Sequence, residues 1–402
     1  MKNSHKRDSS RILIGFGESL AAPEVAWCLL GAGFYVSAFT RWESCPSIRK
    51  CREIELLGVG SPETNVQRSV DDLIKYWDTK RFAAIMPLDD VSLWVCNQAS
   101  RSRNMTIVGA TQICADFALN KKLQLEKASK AGFSVPPTKF FNTIEKADEL
   151  DNFPMILKPA EAVNLQLGKL DKSKFYICAN CEELKTGIES WERNTPLLAQ
   201  SLISGTGEGI FGFAVEGGVK EWSAHRRIRM MNPSGSGSSA CMSIAVDERL
   251  KEVSERLVTD VGWRGMFMIE LLRDKSGKAW FMEFNGRPWG SIALSRRMGF
   301  EYPVWACRQV FDATFVPPKV PHHPAVVCRH LGREILHILM VIRGPKSKAL
   351  TEWPSTWKTL CDVLHFKLSD CWYNWQPGCT KVFWDDTYQT LRNAVLPRVK
   401  SS

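Results

Sequence analysis

The chain has 402 residues, of which 44% are hydrophobic and 24% charged, a composition typical of a soluble globular protein with two or three domains. Its formal net charge of +10 favours anionic partners such as nucleotide phosphates or acidic substrates. The sequence has no Lys/Arg run long enough for a nucleic-acid arm, no apolar run near the roughly 20 residues that span a bilayer, and no disulfide spacing among its 13 cysteines. We therefore expect a cytoplasmic protein with free thiols and without nucleic-acid or membrane-spanning partners.

The first part of the chain alternates apolar runs with helical patterns. The predicted strands are Arg11–Gly17, Phe34–Phe39, Phe82–Met86 and Met105–Val108, and the predicted helices are Ala21–Gly31, Pro62–Trp77 and Asp90–Ser100. Units of this size in alternation predict a parallel, doubly wound sheet. The turn at Gly15–Gly17 lacks the third glycine of a dinucleotide-binding fingerprint, so a tight strand-to-helix turn is sufficient to explain it.

A lysine marks the end of the next predicted strand, Phe153–Pro159, where Lys158 precedes a proline. Placing an ammonium at the end of a buried strand is costly unless it meets an anion, because the group loses hydration. Phosphate is a suitable partner. The alternative is a lysine that extends past the strand end to solvent.

Three antiparallel strands are predicted next, at Pro196–Ile203, Ile210–Val215 and Lys220–Met231. The last strand carries His225, Arg227 and Arg229 at alternate positions, which places them on one face. Three aligned basic groups predict an anion-binding face, and a solvated strand face is the alternative. The Ser- and Gly-rich stretch 232–239 is expected to be a flexible loop that closes over a ligand or connects strands.

The stretch Gly265–Ser291 has two apolar runs around the turn-forming cluster Asp274–Gly277, which predicts a β-hairpin. With a loop of two or four residues, Glu270 lies directly opposite Glu283, about 5 Å away at Cβ, where like charges repel. Asn285 points to the same face. Two carboxylates and an amide oxygen on apolar strands need a cation, and hard oxygen ligands suit magnesium that carries substrate phosphates. A three-residue loop would instead move the acids out of register and leave one of them solvated.

The tail from Pro317 onward contains a predicted helix at His330–Ile342, ended by Gly344 and Pro345. The tryptophans that follow it are Trp353, Trp357, Trp372, Trp375 and Trp384. Packing in a core or at a subunit interface is the expected role of such a cluster. Docking to a partner or a membrane surface is the alternative.

The order of these features resembles the ATP-grasp superfamily across roughly residues 111–310, with a strand-end lysine, a hinge strand, a basic strand and a Glu/Glu-x-Asn hairpin. The sequence is similar to that of a carbamoyl-phosphate-synthase-like branch of the superfamily at three places: His225–Arg229, Gly262 with Trp263, and Glu283–Ser291.

The resemblance implies a mixed α/β and α+β architecture. Residues 1–110 would form a doubly wound, Rossmann-like domain that precedes the ATP-grasp domain at residues 111–316. The latter would have a small lobe at about 120–200 and a large lobe at about 201–316, and residues 317–402 would form a small, mainly helical, Trp-rich extension.

The resemblance also implies a role for each matching residue. The implied ATP-binding residues are Lys121 and Lys158 for the phosphates, Gln200, Ser201, Leu202 and Ile203 for the adenine, and Glu208 for the ribose. The implied magnesium ligands, with manganese as an alternative ion, are Glu270, Glu283 and Asn285. The implied catalytic residues are Arg287, Arg229, Arg227 and His225, which would face the transferring phosphate or the acceptor carboxylate.

Two departures from the family pattern stand out. The stretch Glu161–Gly168 is nearly free of glycine, where family members have a glycine-rich phosphate lid. The hinge also lacks the usual acidic residue at Gln200 or Ser201.

The activity implied is phosphoryl transfer from ATP to a small-molecule carboxylate, followed by capture of the acyl phosphate by an amine. This describes an ATP- and magnesium-dependent carboxylate–amine ligase. A homodimer is one oligomeric state that such an enzyme can adopt. A small-molecule or sugar kinase on the same fold is the first alternative. A nucleotide-binding regulatory module without turnover is the second, motivated by the glycine-poor stretch.

Overall fold

The computed structural model describes residues 10–142, 150–171, 175–191, 195–321 and 325–395. The N-terminal strands are β1 Arg11–Gly15, β2 Tyr35–Arg41, β3 Glu55–Val59 and β4 Ala84–Pro87. The helices of this part are α1 Ala22–Gly31, α2 Val66–Lys80 and α3 Asp90–Ser102, with a short 3₁₀ helix at Ser47–Lys50. None of the helices in the described ranges is long and apolar enough to cross a bilayer.

The four N-terminal strands form a parallel sheet in the order β3-β2-β1-β4. Ile12 and Ile14 pack with α1, whereas Leu13 packs on the other face with α2 and α3. The sheet is therefore doubly wound, as the sequence predicts. The strand at Glu55–Val59 was not anticipated, and the strand expected at Met105–Val108 is reduced to one bridge between Ile85 and Ile107.

The small lobe follows. Its helices are α4 Gln112–Leu119, α5 Lys121–Ala131 and α6 Cys181–Glu189, and its strands are β5 Thr138–Phe141, β6 Met155–Pro159, β7 Asn164–Gln166, β8 Lys169–Asp171, β9 Tyr176–Cys178 and β10 Leu197–Ser201. Four of these strands form an antiparallel sheet in the order β5-β10-β6-β9, and β7 and β8 form a separate ribbon.

The remaining strands are β11 Thr206–Val215, β12 Gly218–Asn232, β13 Ser236–Ile244, β14 Gly265–Arg273, β15 Ala279–Asn285, β16 Val327–Arg329 and β17 Cys371–Trp372. They form one sheet in the order β15-β14-β11-β12-β13-β16-β17. The later helices are α7 Glu248–Asp260, α8 Ile292–Arg297, α9 Tyr302–Phe311, α10 Leu331–Arg343, α11 Thr356–Leu364 and α12 Thr380–Val395.

Two expectations for this region need correction. The Ser/Gly stretch 232–239 is mostly strand, because β12 runs to Asn232 and β13 starts at Ser236, which leaves a tight turn at 233–235. The C-terminal extension is mainly helical, as expected, but its strands β16 and β17 also join the large sheet.

The large sheet has two differently covered faces. Phe211 and Phe213 pack with N-terminal core residues, including Ile12, and we call this side the inner face. Ile210 and Phe267 pack with helices α4, α5 and α7, and we call that side the helix face. Because side chains alternate along a strand, the register assigns every residue of the sheet to one face or the other.

Candidate active site

Two carboxylates face each other on the inner face. Glu270 of β14 pairs directly with Glu283 of β15, and Asn285 pairs with Met268 two positions along. Glu270, Glu283 and Asn285 therefore share one face, as the sequence predicts.

The register arises in a different way from the one expected. Arg273 pairs with Ala279, so the loop comprises residues 274–278 and has an odd number of residues, unlike the loops of two or four that the prediction assumed. Continued regularly, this pairing would place Met282 opposite Glu270 and turn Glu283 to the helix face. A β-bulge between the pairs of Glu270 and Leu271 skips Met282 and restores the facing acids.

An arginine reaches these acids across a neighbouring strand. Arg227 of β12 lies 2.8 Å from a carboxylate oxygen of Glu270, although β11 runs between their strands. A Cβ atom added at Gly207 of β11 would lie 2.7 Å from Cδ of Arg227, and one added at Gly209 would lie 2.8 Å from Nε2 of His225. Glycine at both positions is thus what lets these side chains lie across β11. The Gly-x-Gly spacing in the sequence was the available signal for this crossing.

The charge state of Glu270 follows from these neighbours. Burial raises the pKa of its carboxyl, but Arg227, with help from Arg287 and Lys158, outweighs burial and holds the pKa below its usual range. The group is therefore an ionised carboxylate at neutral pH.

The small lobe brings two lysines to the same place. Lys158, at the end of β6, is partly buried, and its ammonium donates to Oε1 of Gln200 at 2.8 Å. Burial and the positive charge of Lys121 lower the pKa of Lys158 to about 8, although Glu283 and Glu270 act in the opposite direction. Lys158 therefore lies within electrostatic range of the facing acids, and Lys121 within electrostatic range of Lys158.

A buried glutamine fixes the position of α5 against the hairpin. The side chain of Gln124 accepts from the amide of Phe284 at 2.9 Å and donates to its carbonyl at 3.1 Å. The backbone amide of Lys121, at the start of the same helix, donates to Ala160 just beyond Lys158. Sequence reasoning missed Gln124, because a lone glutamine in a helix gives no signal of such a contact.

The predicted hinge residues make contacts different from those expected. Gln200 is fully buried, and besides holding Lys158 it donates to the hydroxyl of Thr138 at 2.9 Å. The amides of Ser201 and Leu202 already donate to the carbonyls of Pro137 and Pro154. Ile203 is partly exposed just after β10. The side chain of Gln200 thus positions Lys158 and is not presented to an adenine.

Glu208 lies on the helix face and not beside the acids. The register pairs Glu208 with Arg226 and with Leu271, so it points away from Glu270. The buried carboxylate forms ion pairs with Arg226 at 2.9 Å and with Arg273 at 2.8 Å, in a groove beside α7. The expected ribose contact therefore has no counterpart in this geometry. Its physical reason is that β11 already begins at Thr206, which fixes the direction of Glu208 by strand alternation.

The predicted row of three cations is also broken. His225 is 1% exposed, packs edge-on against Phe211, and has no hydrogen-bond partner for either ring nitrogen among the described residues. Burial, with the charge of Arg227, lowers its pKa well below the usual value, so the ring is neutral. Irregular pairing on both sides of Arg229 ends the alternation, and this side chain binds Glu334 of α10 at 2.9 and 2.7 Å. Of the three, only Arg227 is a cation directed at the acids.

Arg287 connects the site to the N-terminal domain. It lies two residues after the end of β15 and binds both carboxylate oxygens of Asp90, the first residue of α3, at 2.9 and 3.1 Å. Burial lowers the pKa of Arg287, but Asp90 and Glu283 more than compensate and raise it. The guanidinium is thus permanently charged beside the facing acids.

The stretch Glu161–Gly168, where a glycine-rich lid was expected from the resemblance, leads into the ribbon of β7 and β8. The ribbon is attached to the N-terminal domain, since Val66 donates to the carbonyl of Gly168 and Leu170 donates to Pro62, both at 2.8 Å. Leu170 is also buried in a core shared with that domain.

The donor set fits magnesium when a polyanion is present. In the described parts of the chain no group of three or more His, Cys, Asp or Glu residues could hold a metal ion, so the third donor here is the amide of Asn285. Its two carboxylates lie near three cations, Lys158, Arg227 and Arg287, and Lys121 lies near Lys158. Because the cations near the acids outnumber them, the site suits a magnesium ion together with phosphates better than a bare ion.

No protein-family model and no curated protein matches the chain. Among solved structures, an L-amino acid ligase from Bacillus licheniformis matches with 18% identity and a TM-score of 0.60, over 76% of this chain and 75% of that one. The biotin carboxylase domain of Hydrogenobacter thermophilus 2-oxoglutarate carboxylase, solved with MgADP and bicarbonate, matches with 15% identity and a TM-score of 0.62, over 79% and 73%. N5-carboxyaminoimidazole synthetase from Staphylococcus aureus matches with 15% identity and a TM-score of 0.60, over 82% and 84%. At these identities the likeness is one of fold.

Proposed function

The chain has the ATP-grasp fold, and on that premise we propose that it is an ATP- and magnesium-dependent ligase that activates a carboxylate as an acyl phosphate and joins it to an amine. One observation carries the proposal. The strand-end Lys158 of the small lobe lies within electrostatic range of the facing Glu270 and Glu283 of the large lobe. The ligase and carboxylases with the same fold support it, since one of them was solved with MgADP and bicarbonate.

Each charged residue has a defined task in this proposal. Glu270, Glu283 and Asn285 would hold magnesium, which when bound neutralises negative charge on the nucleotide phosphates. Lys121 and Lys158 bind phosphate oxygens, and Gln200 holds the Lys158 ammonium in place.

The arginines serve the transfer itself. Arg227, which Glu270 orients, stabilises charge on the transferring phosphoryl group. Arg287, which Asp90 orients, adds a second fixed positive charge. An amine then attacks the acyl phosphate and displaces phosphate to give an amide. No covalent protein nucleophile is required, so the 13 cysteines need no catalytic role.

The experiment is ADP release from MgATP with a panel of carboxylic acids, each with and without hydroxylamine. The proposal predicts ADP release that depends on one class of acid, and a hydroxamate when hydroxylamine traps the acyl phosphate. A phosphorylated product that survives hydroxylamine would indicate the kinase instead. No ADP release with any acid would contradict the ligase.

A second candidate is a nucleotide-binding regulatory module. It is favoured by the ribbon of β7 and β8, which is attached to the N-terminal domain at Val66 and Pro62 where a mobile glycine-rich lid would be expected. It predicts calorimetric binding of a non-hydrolysable ATP analogue without ADP release under any condition of the panel.

The proposal includes the setting of the reaction. The partners are a small-molecule carboxylate and an amine, and the chain acts in the cytoplasm, since its 13 cysteines lack the spacing of a disulfide framework. The domain boundaries lie near residues 110 and 316. A homodimer is consistent with the exposed Trp357 and Trp384, which are 76% and 63% exposed.

A further inference from the structure

An arginine of the C-terminal extension approaches the basic strand of the site. Arg333 lies in the first turn of α10, beside the turn that joins β12 to β13. Its Nη1 donates to the carbonyl of Ser238 at 3.2 Å, and a Cβ atom added at Gly237 would lie 3.0 Å from the same nitrogen. Glycine at that position therefore leaves room for the guanidinium.

Arg333 has no acidic partner within ion-pair distance in the described ranges, unlike its neighbours. Arg229 and Arg329 both bind Glu334, at 2.7 and 2.6 Å. Asp386 lies near Arg333, but it contacts His330 at 2.9 Å.

The position of Arg333 is also electrostatically unfavourable. The positive end of the α10 dipole disfavours a cation in the first turn. Burial and the charge of Arg227 lower the pKa of Arg333, while Tyr373 and Asp386 act in the opposite direction. A charge in this position lowers stability unless an anion joins it.

The same group of residues leads back to the facing acids. The charge of Arg227 acts directly on Arg333, and Arg227 contacts Glu270 at 2.8 Å. Arg227 pairs with Cys241, three residues along β13 from Ser238, which corresponds to roughly 10 Å of strand. Arg333 is partly exposed, so a small anion can reach it. Arg227 and Arg333 are thus two separate cations at neighbouring positions of the sheet, an arrangement that suits two anionic groups of one small molecule.

We propose that Arg333 binds a second, non-reacting carboxylate of the acceptor, so that the substrate of the ligase is a dicarboxylic acid. The inference rests on the proposed function, with the reacting carboxylate near Arg227 and the distal one at Arg333. The C-terminal extension thereby contributes a specificity-determining residue to the site.

The test compares malonate, succinate, glutarate and adipate with the monocarboxylates of the same chain length, in wild type, Arg333→Gln, Arg333→Lys and the control Arg343→Gln. Arg343 is exposed at the far end of the same helix. The expected wild-type preference for one dicarboxylate, in kcat/KM for ADP release, falls by about tenfold or more in Arg333→Gln. Arg333→Lys keeps part of it, and Arg343→Gln keeps all of it. An unchanged preference in Arg333→Gln overturns the inference.

Two further measurements separate this inference from the proposed function and from a structural role. If no acid releases ADP, saturation-transfer NMR with a non-hydrolysable ATP analogue still tests dicarboxylate binding. Binding to wild type but not to Arg333→Gln supports the inference without the ligase, and no dicarboxylate binding to wild type overturns it. The melting temperature of Arg333→Gln is expected to stay equal or rise, because an unpaired partly buried charge is removed. A lower melting temperature would assign Arg333 to the fold and contradict the inference.

Discussion

The two faces of the large sheet both carry buried acids beside arginines, but the faces differ in how these charges are balanced. On the helix face, Glu208 is closed off by two arginines, Arg226 and Arg273, in a complete ion-pair group. On the inner face, Glu270 and Glu283 face each other across the hairpin, Glu270 contacts Arg227 at 2.8 Å, and the cations near the two acids outnumber them. A carboxylate beside an arginine therefore does not show by itself whether the group stabilises the fold or binds a ligand. A group whose charges are balanced within the chain stabilises the fold, whereas a group whose charges are not balanced is suited to bind a ligand.

We therefore expect that removing a charged side chain has opposite effects on turnover and on the free energy of unfolding at the two faces. On the inner face, the change should reduce binding and turnover and leave the free energy of unfolding equal or higher. On the helix face, the change should reduce the free energy of unfolding and leave turnover intact.

The largest effect is expected for Glu283→Gln on the inner face. Loss of one magnesium ligand beside the transferring phosphate should reduce acid-dependent ADP release by about a thousandfold. The melting temperature should change little, because the relieved repulsion with Glu270 offsets the lost attraction to Arg287 and Lys158. Glu252→Gln, at an exposed position of α7, is the control and should match wild type. Equal ADP release from Glu283→Gln and wild type would remove Glu283 from the site.

A smaller loss is expected for Lys158→Met. It removes a charged donor to phosphate, so affinity for a non-hydrolysable ATP analogue should fall by about ten- to a hundredfold in calorimetry. The control is Lys130→Met in the same lobe, where the side chain is 74% exposed, and this variant should bind the analogue like wild type. If Lys158→Met also bound like wild type, the lysine would be a side chain that extends past the strand end to solvent.

On the helix face, Glu208→Gln should lower the free energy of unfolding by about 1–3 kcal/mol, since it leaves Arg226 and Arg273 without their shared acid. ADP release should be unchanged. The control, Glu216→Gln, removes an exposed partner of Arg264 and should cost at most about 0.5 kcal/mol. If Glu208→Gln instead lost affinity for ATP at unchanged stability, the contrast between the two faces would be wrong. Glu208 would then have the ribose role that the family resemblance implies.

The smallest effect concerns pH. Lys158 has a lowered pKa of about 8 against an ordinary 10.5, and bound phosphate should raise it again by favouring the ammonium. Nucleotide binding above pH 8 should therefore take up a fraction of about one proton, and affinity should fall as pH rises through 8. For the free protein the sign is reversed: the unfolded state holds more protons between the two pKa values, so Lys158 makes stability rise with pH there. Calorimetry in two buffers of different ionisation enthalpy measures the uptake, and equal heats would contradict it.

The sequence predicted those features that depend on local patterns. The facing acids were predictable because apolar runs and a turn cluster define a hairpin, and Lys158 because it ends a buried strand. The bulge at Met282, which produces the register despite the odd loop, has no sequence signal. Strand β13 was missed because its first residues are Ser and Gly, which are typical of loops.

Residues whose roles depend on distant contacts could not be predicted. Gln124 acts through the backbone of Phe284, and Arg333 comes from an extension whose packing no local pattern indicates. The direction of Glu208 depends on where β11 begins, and the glycines at 205, 207 and 209 are typical of a turn and do not indicate that start.

The most direct test replaces magnesium with manganese and follows its electron paramagnetic resonance signal during titration with a non-hydrolysable ATP analogue. In wild type, we expect manganese binding that is weak alone and tight with the nucleotide, because the surrounding cations require phosphates. In the double variant Glu270→Gln, Glu283→Gln, the nucleotide-dependent signal change should disappear. Equal manganese–nucleotide binding by the wild type and the double variant would contradict the assignment of the inner face as the active site.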